Sequence, residues 1–127
     1  MIGHHRDGNF YHPTVLTDVP ESAQVCVDEA FAPVLILEPF DTFDEVIDKA
    51  NSVDDSLHVG IFTKDLEGAL MVADRLDASG VMINDSSGFR FDAMPFGGDK
   101  RGSLEREGVH YALPEMTQTK VVCFNRG

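Results

Sequence analysis

Four apolar residues in a row, Val34 to Leu37, are closed off by Pro33 on one side and by Pro39 on the other. A run this short, partly β-branched and bounded by prolines, reads as a strand covered on both faces, with Pro33 setting its start. Just ahead of it stands Glu29-Ala30-Phe31-Ala32. An acid and an aromatic ring on the lip of such a strand sit where parallel-sheet proteins tend to hold ligands, because backbone at a strand end is rigidly based yet open. The alternative is ordinary packing, with Phe31 in the core and Glu29 in solvent.

Charge and length bound what this strand can belong to. The 127 residues suit one small domain and are short for a two-domain cofactor enzyme. With 22 acids against 10 bases the net charge is −12, which repels phosphate backbones and argues against a nucleic-acid partner. No apolar run has the length to span a bilayer, and the first residues lack the basic-then-apolar layout of a signal peptide, so a cytoplasmic protein without a membrane partner is expected. Cys26 and Cys123 lie far apart and outside any CxxC spacing, so reduced thiols are expected.

Met1 to Asn9 is polar and glycine-bearing and reads as a loop. Its His4-His5 pair has no third ligand at a useful spacing, so no metal site is expected. Phe10 to Leu16 alternates and reads as a short strand broken at Asp18-Val19-Pro20, while Cys26 between two valines reads as a small buried hydrophobe. Thr42 and Glu45 then make a capping box. A helix follows with Phe43, Val46, Ile47 and Ala50 on one face and Asp44, Asp48 and Lys49 in water, ending at Asn51-Ser52. Leu57 to Thr63 carries a second β-rich run. Thr63 is placed to cap a second helix with Asp65 in its first turn and Leu66, Ala69, Leu70, Ala73 and Leu76 buried. Gly80 turns into a third strand, Val81 to Asn84.

Strand, helix, strand, helix, strand with short links predicts an α/β unit with a parallel sheet and flanking helices. The polar stretch from Asp85 to Gly98 leaves the end of the third strand and is the candidate ligand loop. Gly97-Gly98 matches neither GxGxxG nor GxxxxGK. Arg90, the one cation in this loop before Lys100, stands among Phe89, Phe91 and Phe96 and is suited to a small anion, or else to an ion pair with an acid such as Asp92. Leu104 to Met116 reads as a helix with Val109, Ala112, Leu113 and Met116 inward, and Thr119 to Phe124 as a terminal strand whose open edge would pair with another subunit.

Several stretches then occur together in a familiar order: Glu29-Ala30-Phe31-Ala32-Pro33-Val34, Gly60-Ile61-Phe62-Thr63-Lys64-Asp65, Val81-Met82-Ile83-Asn84, Pro95-Phe96-Gly97-Gly98-Asp99-Lys100 and Thr119-Lys120-Val121. From about Gly8 onward the chain resembles the C-terminal part of the catalytic domain of the NAD(P)-dependent aldehyde dehydrogenase superfamily. Ser86-Ser87-Gly88-Phe89-Arg90 and Arg106-Glu107-Gly108-Val109 look most like the branch acting on small or acidic aldehydes such as succinate semialdehyde, lactaldehyde or phosphonoacetaldehyde.

The resemblance implies residues 1–118 as the C-terminal part of a catalytic domain and 119–127 as an oligomerisation strand. It implies NAD or NADP as the cofactor of the complete enzyme and a small, anionic aldehyde as its substrate. Glu29 matches the family glutamate on the nicotinamide ribose, and Phe31 the aromatic beside that ribose and ring. Asn84, Ser86, Ser87, Arg90 and Phe96 match the wall of the aldehyde tunnel, with Arg90 near the distal anion. The family's nucleophilic cysteine and general-base glutamate are matched by no residue here, so no catalytic residue is assigned. Two departures stand out: Ala32 replaces a usual glycine, and the glycines after Lys100 are shifted or missing. Three functions follow as alternatives. The chain is a fragment, inactive alone, contributing cofactor and substrate contacts in a full-length or complemented dehydrogenase that forms a homo-oligomer, a non-catalytic module pairing with intact subunits, or a small enzyme using Cys26 or Cys123.

Overall fold

Pro13 and Pro33 have no N–H to give a ladder, and the two strands that pair most fully in the N-terminal part start directly after them. In a computed structural model, which describes residues 1–103 and 105–127, β3 (Thr14–Thr17) runs parallel to β4 (Val34–Leu37), Thr14 opposite Val34 and Thr17 opposite Leu37. The Pro33 carbonyl accepts from Thr14 N–H at 2.9 Å. These strands belong to a first unit, residues 1–55; residues 56–127 form a second.

The N-terminal stretch expected as a loop is partly ordered into strands: β1 (Arg6–Asp7) forms a hairpin with β2 (Phe10–Tyr11), and Ile2 bridges Val15. The run from Phe10 to Leu16 is therefore two strands. Pro13 interrupts the ladder, so Phe10 and Tyr11 pair with β1 while Thr14 onward pairs with β4. Thr14 is buried, its hydroxyl donating to the His12 carbonyl and accepting from His4 N–H, both at 2.9 Å. The short helix α1 (Gln24–Val27) links β3 to β4 and leaves Cys26 half-buried, less enclosed than its valine neighbours implied. On β4 itself, Leu35 and Leu37 remain 56% and 51% exposed, so one face of the strand is open where two-sided cover was expected.

Helix α2 (Phe43–Asn51) starts as its sequence demands, with Thr42 Oγ1 accepting from Glu45 N–H at 3.2 Å. The Glu45 carboxylate reaches back one residue past the cap, to Asp41 N–H at 2.9 Å. Ile47 is the buried centre of the helix. Lys49 does not face open water: its Nζ stands 3.4 Å from Glu45, 3.6 Å from Glu21 and 3.9 Å from Glu38. Acids before α1, after β4 and one turn back on the helix converge on it.

After β5 (Asp55–Ser56), where the first unit gives way to the second, β6 (His58–Ile61), α3 (Leu66–Arg75) and β7 (Gly80–Ile83) make a crossover unit, with β6 parallel to β7. Gly80 is the first residue of the strand, opposite His58, and not a turn before it. The N-cap of α3 is Asp65, which accepts from Gly68 N–H at 3.1 Å, while Thr63 Oγ1 accepts from Asp65 N–H at 3.1 Å. The shorter, charged side chain wins the cap and the threonine fixes the turn before it. The helix buries its narrow side, Ala69 and Val72, leaving Leu66 65% and Leu70 57% exposed.

Of the expected last helix, Leu104 lies outside the described residues; α4 spans Val109–Glu115, with Gly108 at φ 120 as its N-cap and Pro114 within it. That start turns Tyr111 and Ala112 inward, and Val109, Leu113 and Met116 outward. Beyond it, residues 117–127 join no ladder among the described residues, and Val121, Val122 and Phe124 are exposed. Short strands, β8 (Asp99–Lys100) among them, complete the second unit. The architecture is α/β, its parallel sheet present as two two-stranded pieces.

Two measurements test the start of α2. Thr42→Ala is expected to lower the unfolding free energy by about 1 kcal/mol in chemical denaturation. The Glu45 carboxyl is held below its ordinary range by the Asp41 N–H and by Lys49. A lowered carboxylate stabilises above its unfolded value and loses that contribution as pH falls through the folded one. Acid titration followed by circular dichroism should show this loss, reduced in Glu45→Gln.

Candidate functional site

The loop from residue 84 to 98 begins where β7 runs out of ladder. Asn84 adopts a left-handed φ of 59°, a conformation its short side chain tolerates better than most. Its N–H donates to the Ile61 carbonyl at 2.6 Å and its Oδ1 accepts from Thr63 N–H at 2.9 Å, tying the ends of β6 and β7 together. Asp85 Oδ1 accepts from Ser86 N–H at 2.7 Å, Ser86 Oγ from Gly88 N–H at 2.9 Å, and the Ser86 carbonyl from Phe89 N–H at 3.0 Å. This turn lies on Gly60, where a Cβ would stand 2.7 Å from the Asp85 carbonyl oxygen and 3.3 Å from the Ser87 nitrogen.

At the far end the loop is closed by backbone. Phe96 N–H donates to Glu107 O at 3.2 Å and Glu107 N–H to Phe96 O at 2.5 Å. Gly97 and Gly98 are buried, and a Cβ on either would meet backbone, the Glu105 carbonyl oxygen at Gly97 or Gly102 C, at 2.7 Å, at Gly98. The pair serves close packing, with Arg106 Nη1 donating to the Gly98 carbonyl at 2.6 Å.

Between these anchors, Arg90 lays its guanidinium over Phe96, Cζ 3.7 Å from the ring centroid, and Nη2 lies 3.5 Å from Glu107 Oε2. The carboxylate beside Arg90 is thus Glu107, where the sequence offered Asp92. The Phe96–Glu107 bridge brings Glu107 to the ring that Arg90 covers. Both side chains are substantially exposed, at 48% and 72%, so their attraction is worth about 0–1 kcal/mol, comparable to the exposed cation–π contact.

The loop therefore gathers Asn84, Ser86, Ser87, Arg90 and Phe96. Glu29 and Phe31 lie in the other unit, on an exposed stretch between α1 and β4, with Phe31 93% exposed and not packed in a core. Tight turns shape that stretch, Ala32 N–H to Ala30 O and Val34 N–H to Ala32 O, both 2.8 Å. Among the described residues other than glycine, those with left-handed φ are His4, Asp18, Asn84 and Lys100, so the methyl of Ala32 sits on backbone that accepts it. Cys26 lines a cleft of about 300 Å³ with Glu21, Glu38, Asp48 and Lys49, and Cys123 lies exposed in the tail. Among the described residues no group of three or more His, Cys, Asp or Glu could hold a metal ion, and no helix is long and apolar enough to cross a membrane.

The sequence model of the aldehyde dehydrogenase family matches residues 2–122. The chain belongs to that family. It is 59% identical to an aspartate-semialdehyde dehydrogenase of Pseudomonas canavaninivorans over 125 residues, 98% of this chain and 27% of that protein. Aldehyde dehydrogenase 21 from Physcomitrella patens, solved with the reaction product succinate, superposes with a TM-score of 0.87 at 41% identity, over 93% of this chain and 24% of that one. Glyceraldehyde-3-phosphate dehydrogenase from Methanocaldococcus jannaschii, complexed with NADP, gives a TM-score of 0.84 at 46% identity, over 91% of this chain and 25% of that one. The chain thus spans about a quarter of the length of the aldehyde dehydrogenases it matches.

Two residues of this aldehyde dehydrogenase segment escape sequence reasoning. Glu107 is placed by a backbone bridge between segments 11 residues apart, numbers 96 and 107, which side-chain patterns do not encode. His58 contacts the loop from the neighbouring strand, with Nδ1 3.2 Å from the Ser87 carbonyl. Its signal was a polar ring opening an otherwise apolar strand. Because Gly60 has backbone against it, Gly60→Ala is expected to destabilise the protein by about 1–3 kcal/mol. Amide chemical shifts should move at residues 85–87, read alongside denaturation.

Proposed function

We propose that this chain forms the aldehyde-side wall of an enzyme that oxidises a short, anionic aldehyde to the acid with NAD or NADP, and that it acts only together with the part of the family's fold that it does not contain. The observation that carries this reading is Arg90, a half-exposed guanidinium flat on Phe96 in the loop beyond β7. Its carboxylate neighbour is long-bonded and solvated, which leaves the guanidinium able to take a bidentate anion. The three relatives described above support it, since aspartate semialdehyde, succinate and glyceraldehyde 3-phosphate all carry an anionic group.

The exposed lip before β4 fits a dinucleotide: Glu29 would accept hydrogen bonds from ribose hydroxyls, and the open Phe31 ring would flank the flat nicotinamide. When bound, that cofactor supplies the hydride acceptor. Ser86 and Ser87 would line the approach and Asn84 would hold the loop's root. We place the assembly in the cytosol, and we assign the exposed Val121, Val122 and Phe124 to strand pairing with another subunit. That apolar tail also favours a second reading, in which the chain is a non-catalytic module pairing with intact subunits.

Co-expression with the preceding three-quarters of the Pseudomonas relative tests the first reading. Cofactor reduction is expected with succinate semialdehyde. Arg90→Gln should lower kcat/KM for that substrate about 10- to 100-fold, the worth of one hydrogen bond to a charged group, and leave an uncharged aldehyde of equal length within about twofold. An equal loss on both aldehydes would remove Arg90 from anion recognition. Association without turnover would favour the second reading.

A further inference from the structure

His58 opens β6 and lies outside the loop, yet its imidazole touches the loop at both ends. Nδ1 is 3.2 Å from the Ser87 carbonyl oxygen. A carbonyl only accepts, so Nδ1 carries the hydrogen; with a single ring hydrogen there, Nε2 is a bare lone pair. That lone pair is shut off from solvent and has no hydrogen-bond partner among the described residues, a state a bare ring nitrogen tolerates better than an N–H. The ring also stands edge-on to Phe96, centroids 5.2 Å apart and planes at 88°. Phe96 in turn bears the Arg90 guanidinium at 3.7 Å. One side chain of a strand thus holds the serine turn near the start of the loop and the arginine platform near its end.

The strand pair makes room for this. His58 lies opposite Gly80 in the β6–β7 register, and a Cβ on Gly80 would stand 2.6 Å from Cδ2 and 2.8 Å from Nε2 of the imidazole. The ring occupies space that only glycine leaves open, so its position is imposed by the sheet and passed to the loop.

We propose that His58 is the positioning residue of the aldehyde-side loop, its Nδ1–H fixing Ser87 and its ring fixing Phe96, and that it thereby sets the separation of the serine turn from the Arg90 guanidinium. The role in substrate positioning rests on the activity proposed above; the role in holding the loop does not. His58 makes and breaks no bond in it.

The test uses the whole chain, ¹⁵N-labelled, and its His58 variants. The imidazole is expected as the Nδ1–H tautomer; an Nε2–H tautomer would overturn the proposal. Chymotrypsin reports loop opening at Phe89 and Phe91, which are 46% and 54% exposed. His58→Ala removes both contacts and is expected to speed that cleavage about tenfold. His58→Asn keeps a donor and His58→Phe keeps a ring, so each should recover part of the protection. Gly80→Ala, which displaces the ring without removing it, should match the alanine variant. Parent-like cleavage in His58→Ala, or full protection in His58→Phe, would overturn the proposal, and the asparagine and phenylalanine variants decide it if His58→Ala does not fold.

In the co-expressed enzyme, His58→Ala is expected to raise KM for succinate semialdehyde about tenfold with kcat within about twofold, and His58→Asn to recover part of that rise. A fall in kcat at unchanged KM would overturn the positioning role. The cleavage assay needs no catalysis, so its failure counts against His58 alone, whereas undiminished discrimination in Arg90→Gln counts against the activity reading alone.

Discussion

Two glycines leave gaps on the parallel pair β6–β7, and what fills them organises the second unit. Gly60 receives the backbone of the turn at residues 85–87, and Gly80 receives the His58 ring. A side chain at either position would collide with backbone or with a ring already packed on Phe96. The register that sets His58 against Gly80 and Gly60 against Met82 therefore fixes where the loop beyond β7 can lie. A shift of one residue would reverse every side chain of the strand and abolish both fits. The turn at the start of the loop is then tied locally, through Asn84, Asp85 and Ser86.

Local chemistry was legible in the sequence and tertiary orientation was not. The Thr42 cap, the strand at Val34–Leu37 and the crossover through α3 follow from spacing, because each is decided within a few residues. The exchange of roles between Thr63 and Asp65 shows the limit of that logic, since two good capping residues two positions apart compete and geometry chooses. Lys49 reads as a solvated residue on its own helix, yet acids from outside that helix converge on it. For the site, loop and cation could be named from the sequence. Their partners could not, because Glu107 and His58 arrive through a backbone bridge and a strand register.

The helix faces make a separate point. Apolar spacing placed Leu66 and Leu70 of α3, and Val109, Leu113 and Met116 of α4, in a core, and in this chain they stand in solvent together with Leu35 and Leu37 of β4. Hydrophobic periodicity reports what a face is suited to bury, not whether the covering element belongs to the same polypeptide. A chain that spans a quarter of its relatives' length carries the pattern of the larger fold and only part of its contacts.

In the reading proposed above, Arg90 would bind an anion while already holding an exposed ion pair. Phe96 supplies a flat face that does not compete for the donors along the edge of the guanidinium. Glu107 supplies charge at 3.5 Å, a long and solvated pairing. Exchanging Glu107 for the carboxylate of the proposed substrate would change little in net charge. On that proposal the gain would lie in geometry, two short parallel bonds in place of one long one, and would be realised only if the guanidinium is already aimed. That aim depends on the Phe96 ring, and the ring leans on His58.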